Sequence, residues 1–183
     1  WGYNWGSGPA WDAAFVLMPW YIYLYTGDVG AIEKQYDGIR RYVDFCGTMA
    51  TGHILAFGLG DWCPVDKKHM PPPALTSTAY YYVFAGMLAQ FARITGHDED
   101  VTKYEELAAK IREAFNREFY KGNGVYDQGQ MTAQGCALYQ GLVEDTERCA
   151  VVQTLVNALE GNECKVDVGI LGAKYVPRAL ADN

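Results

Sequence analysis

STAYYYVFAGMLAQFARIT (residues 77–95) carries a single charge, Arg93; two residues further on, DEDVTKYEELAAKIREAFNREF (98–119) is densely charged and amphipathic. A helix apolar on every side is buried on every side, whereas an amphipathic helix keeps one wet face. Joined by the tight turn TGHDED, the two run antiparallel, one inside and one outside. The contrast recurs along the chain. AWDAAFVLMPWYIYLYT (10–26) holds only Asp12 and TAQGCALYQGL (132–142) holds no charge, while AIEKQYDGIRRYVDFC (31–46) is again amphipathic and charged.

Helical periodicity dominates and strand alternation is scarce. The sequence predicts seven helices, over 10–26, 30–47, 76–95, 98–118, 132–142, 146–160 and 168–181. Those at 10–26, 76–95 and 132–142 are expected inside, and those at 30–47 and 98–118 outside. Pro19 predicts a kink or a late start in the first helix; Asp28 and Asp98 suit helix starts. The connections alternate too. TGDVG and TGHDED are tight, while residues 1–9, 47–75 and 120–131 are long and rich in glycine. Consecutive antiparallel helices place every second connection at one end, so the long loops gather there, and loops of that length usually have a task. YTGDVGAIEKQYDGIRRYVDF is echoed about 69 residues later by ITGHDEDVTKYEELAAKIREAF. Repeated helical hairpins form a solenoid or a closed ring, and apolar inner helices favour the ring.

The 183 residues fit one ordinary domain, and half are hydrophobic, enough for a core. A net charge of −7 argues against nucleic acid and against an anionic membrane. No apolar run approaches the roughly 18 residues of a membrane span. The chain begins with Trp rather than Met and reads as a piece of something longer. Five scattered cysteines without a CxxC pair read as free thiols, and cytoplasm and periplasm both stay open. His53, His69 and His97 show no metal-binding spacing, Cys63 and His69 alone do not make a zinc site, and no cofactor motif is present.

The loop end is expected to collect Tyr3, Asn4, Trp5, Trp11 and Asp12, then Asp61, Trp62 and Asp66, then Tyr126, Asp127, Gln128 and Gln130. Aromatic rings suit the C–H faces of a sugar, and carboxylates and amides suit its hydroxyls. On sequence alone, Asp61 and Asp127 are candidates for a paired acid and base of glycoside hydrolysis, and position does not assign the roles.

GSGPAWDAAFVLMPWYIYLYTGD, FGLGDWCP, the 78–120 segment and VDVGILGAKYVPRALADN, in that order, resemble the catalytic domain of bacterial α-L-rhamnosidases, glycoside hydrolase family 78. The resemblance covers nearly the whole chain. It implies an all-α fold, part of an (α/α)6 six-hairpin toroid of alternating inner and outer antiparallel helices. It implies inverting hydrolysis of terminal α-L-rhamnose, without a metal or cofactor. Trp11 and Trp62 are implied to wall the rhamnose pocket, with Asp12 beside them, and Asp61 either to hold the loop or to accept a sugar hydroxyl. Trp11 and Asp12 are adjacent here, where many members have an intervening residue. The family's general acid belongs before residue 1 and its general base after residue 183, so residues 1–183 are expected to be a fragment of one catalytic domain without the catalytic pair. Half a ring would expose strips of Leu, Tyr and Phe on inner helices, through which copies would associate. Two other readings stay open: another (α/α)6 sugar enzyme such as an unsaturated glucuronyl hydrolase, which would favour basic pocket residues, and a helical-repeat scaffold with an open concave face.

Overall fold

The computed structural model describes residues 7–183. It contains α1 (Pro9–Asp12), α2 (Ala14–Thr26), α3 (Gly30–Met49), α4 (Pro73–Thr95), α5 (Asp98–Phe119), α6 (Met131–Tyr139), α7 (Arg148–Gly161) and α8 (Ile170–Ala181), with one 3-10 turn at Lys67–His69. The interruption in the first helix falls at Ala13, whose dihedrals remain helical, and the chain continues through Pro19 without a second break.

The layering follows the charge contrast. All of Met131–Leu138 in α6 is buried, and α4 buries residues around its circumference, from Leu75 to Ala92. Outer α3 and α5 bury one face each, through Ile32, Tyr36, Ile39, Val43 and Cys46 and through Tyr104, Ala108, Ile111 and Phe115. Glu105, Glu106 and Lys110 are exposed. α4 packs on α3 and α5, and α6 packs on α7 and α8. The first two hairpins, which the sequence echo relates, clasp each other through two tyrosine–aspartate bonds. Tyr36 Oη donates to Asp100 at 2.8 Å, and Tyr104 Oη donates to Asp44 at 2.9 Å.

α6 ends three residues before the predicted 142. Gly141 takes a left-handed φ of 72°, its N–H donates to Leu138 O, and the N–H of Leu142 donates to Ala137 O at 3.0 Å. This is a Schellman ending, closed by buried Leu142. Outer helix α5 then reaches inward: Arg112 Nη2 donates to Val143 O at 2.8 Å and Asn116 Nδ2 to Leu142 O at 2.9 Å.

α2 departs from burial on all sides. Phe15, Met18, Ile22 and Tyr25 recur at helical spacing and are exposed, Met18 to 54% and Tyr25 to 85%. α3 touches one edge of that face, where Phe15 meets Tyr42 edge-to-face, and the exposed apolar strip expected on an inner helix lies here. No helix among the described residues is long and apolar enough to cross a membrane.

The same burial sorts the thiols. Cys46 and Cys136 are buried, while Cys63, Cys149 and Cys164 are exposed. Burial pushes the Cys46 thiol up to about 12 and also raises Cys136. The thiolate is the reactive form, so at pH 8 both are nearly inert. Iodoacetamide should label peptides containing Cys63, Cys149 and Cys164 in the folded protein, and those containing Cys46 and Cys136 only after denaturation. Peptide mass mapping checks this; early labelling of Cys46 would contradict its burial on the inward face of outer helix α3.

Candidate functional site

Two glycines let the first and second loops cross. Gly8 and Gly58 have φ of 85° and 137°, and a Cβ on Gly8 would lie 2.5 Å from Gly58 Cα. Only glycine permits both the dihedral and the approach. Leu59 N–H donates to Ser7 O at 3.2 Å and Ser77 Oγ donates to Phe57 O at 2.8 Å, fixing the crossing. It brings Trp11, at the start of the first helix, against Trp62, on the second loop. Their ring centroids are 5.9 Å apart at 74°, an edge-to-face pair. The Trp11 indole N–H donates to Gly60 O at 3.2 Å, and Trp62 remains 46% exposed.

Asp61 holds Trp62 in place. Its carboxylate is fully buried. Oδ2 accepts from Thr132 Oγ1 at 2.5 Å and from the Gly169 amide at 2.7 Å; Oδ1 accepts from the amides of Leu171 and Gly172 at 2.8 and 3.0 Å. The Ile170 amide donates to Trp62 O at 2.9 Å. The first amides of a helix lack partners within it and attract negative charge. Here the amides of 169–172, at the start of α8, are all satisfied by residues 61 and 62. The fit leaves no room for side chains: a Cβ on Gly169 would lie 2.4 Å from Asp61 O, and one on Gly172 2.3 Å from Thr132 Oγ1.

The far end of the same loop has a second tether. Asp167 Oδ1 accepts from the Asp66 amide at 3.1 Å, and Asp167 Oδ2 meets His69 Nδ1 at 2.5 Å. The hydrogen bond with His69 holds the Asp167 carboxyl below the usual aspartate value. Beside this pair opens a cleft of about 340 Å³ between the 67–69 turn, residues 128–131 and the end of α7.

The other expected residues divide. Asp12 reaches outer α3, where its Oδ2 accepts from Tyr42 Oη at 2.8 Å. Tyr126 is buried, its hydroxyl on Asn116 at 2.5 Å, because its ring packs against Phe115. Asp127 accepts from Gln130 Nε2 at 2.8 Å. Asp66 caps the 3-10 turn through the Lys68 amide. Tyr3, Asn4 and Trp5 lie outside the described residues. As a proton carrier Asp61 is unsuited: no carboxylate oxygen is left for solvent, since all four hydrogen bonds come from protein. Of the alternatives for it, the geometry is that of a loop anchor. Sequence reasoning missed Thr132, Asp167 and the paired glycines of α8. The signal was VDVGILG, a helix start with glycine at its cap position and no Ser, Thr, Asp or Asn there to cap it locally.

Alternating inner and outer helices, with the long connections and an indole pair at one end, define a domain of layered helical hairpins. The chain belongs to the bacterial α-L-rhamnosidase six-hairpin glycosidase domain family, whose model matches residues 2–183. An α-L-rhamnosidase of Streptomyces avermitilis is 28% identical over 98% of this chain and 17% of its own length. One of Formosa agariphila is 27% identical over 93% of this chain and 19% of its own length. The chain therefore spans about a fifth of the length of the curated relatives it matches. Among solved structures, an α-L-rhamnosidase from Dictyoglumus thermophilum superposes with a TM-score of 0.89 at 31% identity, covering 97% of this chain and 21% of that one. The Streptomyces avermitilis α-L-rhamnosidase complexed with L-rhamnose gives 0.86 at 27%, covering 93% and 16%. The all-α hairpin architecture is thus that of the six-hairpin glycosidase domain.

Replacing Asp61 by Ala strands the Thr132 hydroxyl and three buried amides. Urea unfolding should show a loss of at least about 3 kcal/mol. Asp61→Asn should also lose stability, because its NH2 group would face N–H donors. A change below about 1 kcal/mol for Asp61→Ala would refute the anchor.

Proposed function

We propose that the protein to which this chain contributes hydrolyses terminal α-L-rhamnose from glycosides or polysaccharides, with inversion. The observation that carries the reading is the exposed Trp62 edge-to-face with Trp11 at the loop end of a domain of this family. Rhamnose is a 6-deoxy sugar, so one side of it offers a methyl group and ring C–H bonds to an indole, while its hydroxyls seek polar partners. Trp62 supplies the accessible wall, Trp11 backs it, and Asp61 acts through the loop as a positioning residue. Asp12 supports the same corner from its bond to Tyr42.

Inverting hydrolysis needs an acid and a base with carboxyl groups about 6.5–9.5 Å apart. Asp61 is enclosed and Asp127 is engaged by Gln130. As the family resemblance implies, we assign the acid and base to segments other than residues 1–183, which contribute the aromatic part of the sugar pocket.

In the intact protein, Trp62→Ala should lower kcat/KM for p-nitrophenyl α-L-rhamnoside by about 1–3 kcal/mol, roughly 5- to 150-fold. Unchanged kcat/KM sinks the stacking role; absence of turnover by the unmodified intact protein sinks the function. The isolated chain should be inactive and should self-associate through Phe15, Met18, Ile22 and Tyr25. Turnover within about tenfold of the intact protein, under roughly 1.4 kcal/mol in barrier, would place acid and base inside the chain. Sedimentation as a monomer at rising concentration would remove the association.

A further inference from the structure

Residues 61–69 are held at both ends by one short segment, 167–172, and the two holds differ in kind. At the near end the fully buried Asp61 carboxylate and the Trp62 carbonyl take the amides of 169–172. At the far end Asp167 takes the Asp66 amide on Oδ1 at 3.1 Å and meets His69 Nδ1 with Oδ2 at 2.5 Å. This hold is wet on one side, with the His69 side chain 55% exposed. No residue from Trp62 to His69 is buried, so little apolar contact secures the chain between the holds. Segments of that kind open locally while the rest of a fold stays shut.

The far hold is the one that titrates. A carboxylate accepts, so His69 Nδ1 carries a proton in either charge state of the ring. With the ring protonated the bond is charge-assisted at both partners; with the ring neutral an uncharged N–H donates, and the bond is weaker. Histidine makes that change between about pH 5 and 8. Asp167 stays ionised throughout, because its bond with His69 holds its carboxyl below the usual aspartate value. The other charged groups around the ring are Lys67 and Lys68 on its own turn and Asp66, which caps that turn. Residues 128–131 and the α7 residues that line the same cleft carry no charge. Of these groups only Asp167 bonds to the ring. The far hold is therefore tightest with His69 protonated and slackens as the pH rises through the histidine range. On the acid side it persists until Asp167 itself takes a proton.

We propose that Asp167 is a positioning residue for Trp62, and that its bond to His69 is a clamp on the tryptophan loop that loosens as the pH rises. The effect on turnover rests on the rhamnosidase reading; the clamp itself does not. A loop held at one end only lets the exposed Trp62 ring leave its edge-to-face seat on Trp11, so rising pH weakens the aromatic wall without unfolding the domain.

Both tests use the full-length protein. Hydrogen exchange read by mass spectrometry, corrected for the intrinsic pH dependence of exchange, should show the protection of residues 63–70 falling about threefold between about pH 5.5 and about pH 8. The fall should be absent in Asp167→Asn, whose Oδ1 can still take the Asp66 amide. It should also be absent in His69→Gln, which keeps a donor and loses the titration, so misfolding of one variant leaves the other to decide. The second measurement is kcat/KM for p-nitrophenyl α-L-rhamnoside over the same range. The ratio of the unmodified protein to Asp167→Asn should be about threefold larger at about pH 5.5 than at about pH 8. Taking the ratio removes the titration of the acid and base, and a merely structural loss gives the same ratio at every pH. Equal protection of residues 63–70 at both pH values, a fall that survives in His69→Gln, or a constant ratio overturns the proposal. Failure of the rhamnosidase reading looks different: no aryl rhamnoside turnover, with the pH-dependent protection of residues 63–70 still present.

Discussion

The loop end depends on one buried carboxylate. A charged group removed from water is costly unless every lone pair meets a donor. Asp61 meets that condition by borrowing the unpaired amides at the start of α8, where the helix already favours negative charge. The arrangement is reciprocal. α8 has no side-chain cap of its own, and residues 55–66 of the second loop have no helix or strand of their own; each supplies what the other lacks. Thr132 adds the first turn of α6 to the same knot. Two separate segments, the starts of α6 and α8, are therefore fixed relative to Trp62 by one side chain and one carbonyl.

The two ends of the layer are built on different terms. At the tight-turn end, left-handed Gly27 and Gly96 close α2 and α4, their amides donating to Tyr23 O and Ala92 O, and the chain reverses in a few residues. At the other end, long segments cross over glycine and reach their positions through side-chain anchors. The charged outer helices do more than face water. Arg112 and the Tyr36–Asp100 and Tyr104–Asp44 bonds stitch neighbouring hairpins together, so the end that carries the site rests on a stiff base.

Much of the architecture could be read from charge alone. Helices without charge between helices dense with it forced the inner and outer assignment, and the exposed Glu105, Glu106 and Lys110 agree with it. What periodicity could not locate were endings set by backbone geometry. Residues 140–142 continue the apolar pattern of α6, but the left-handed Gly141 stops it. The site was half legible. The indole pair followed from the motifs, while the surroundings of Asp61 did not, because a contact spanning 108–111 residues leaves no local trace. Likewise Tyr126 looked available in a loop, yet its ring had been claimed by Phe115 and Tyr120.

The edge-to-face indoles have an optical consequence. Two identical chromophores 5.9 Å apart do not absorb independently; their transition dipoles mix into a pair of states with opposite rotatory strength. The loop end thus carries its own circular-dichroism couplet, which exists only while Gly8 crosses Gly58 and Asp61 holds the second ring in register. Trp20, paired with Tyr23 and Phe91 rather than with another indole, contributes no such couplet. On the proposed function, a sugar seated on Trp62 would change the local polarisability of one partner and unbalance the two lobes, so the indole pair would report the integrity of the loop crossing and the arrival of a ligand in polarised light.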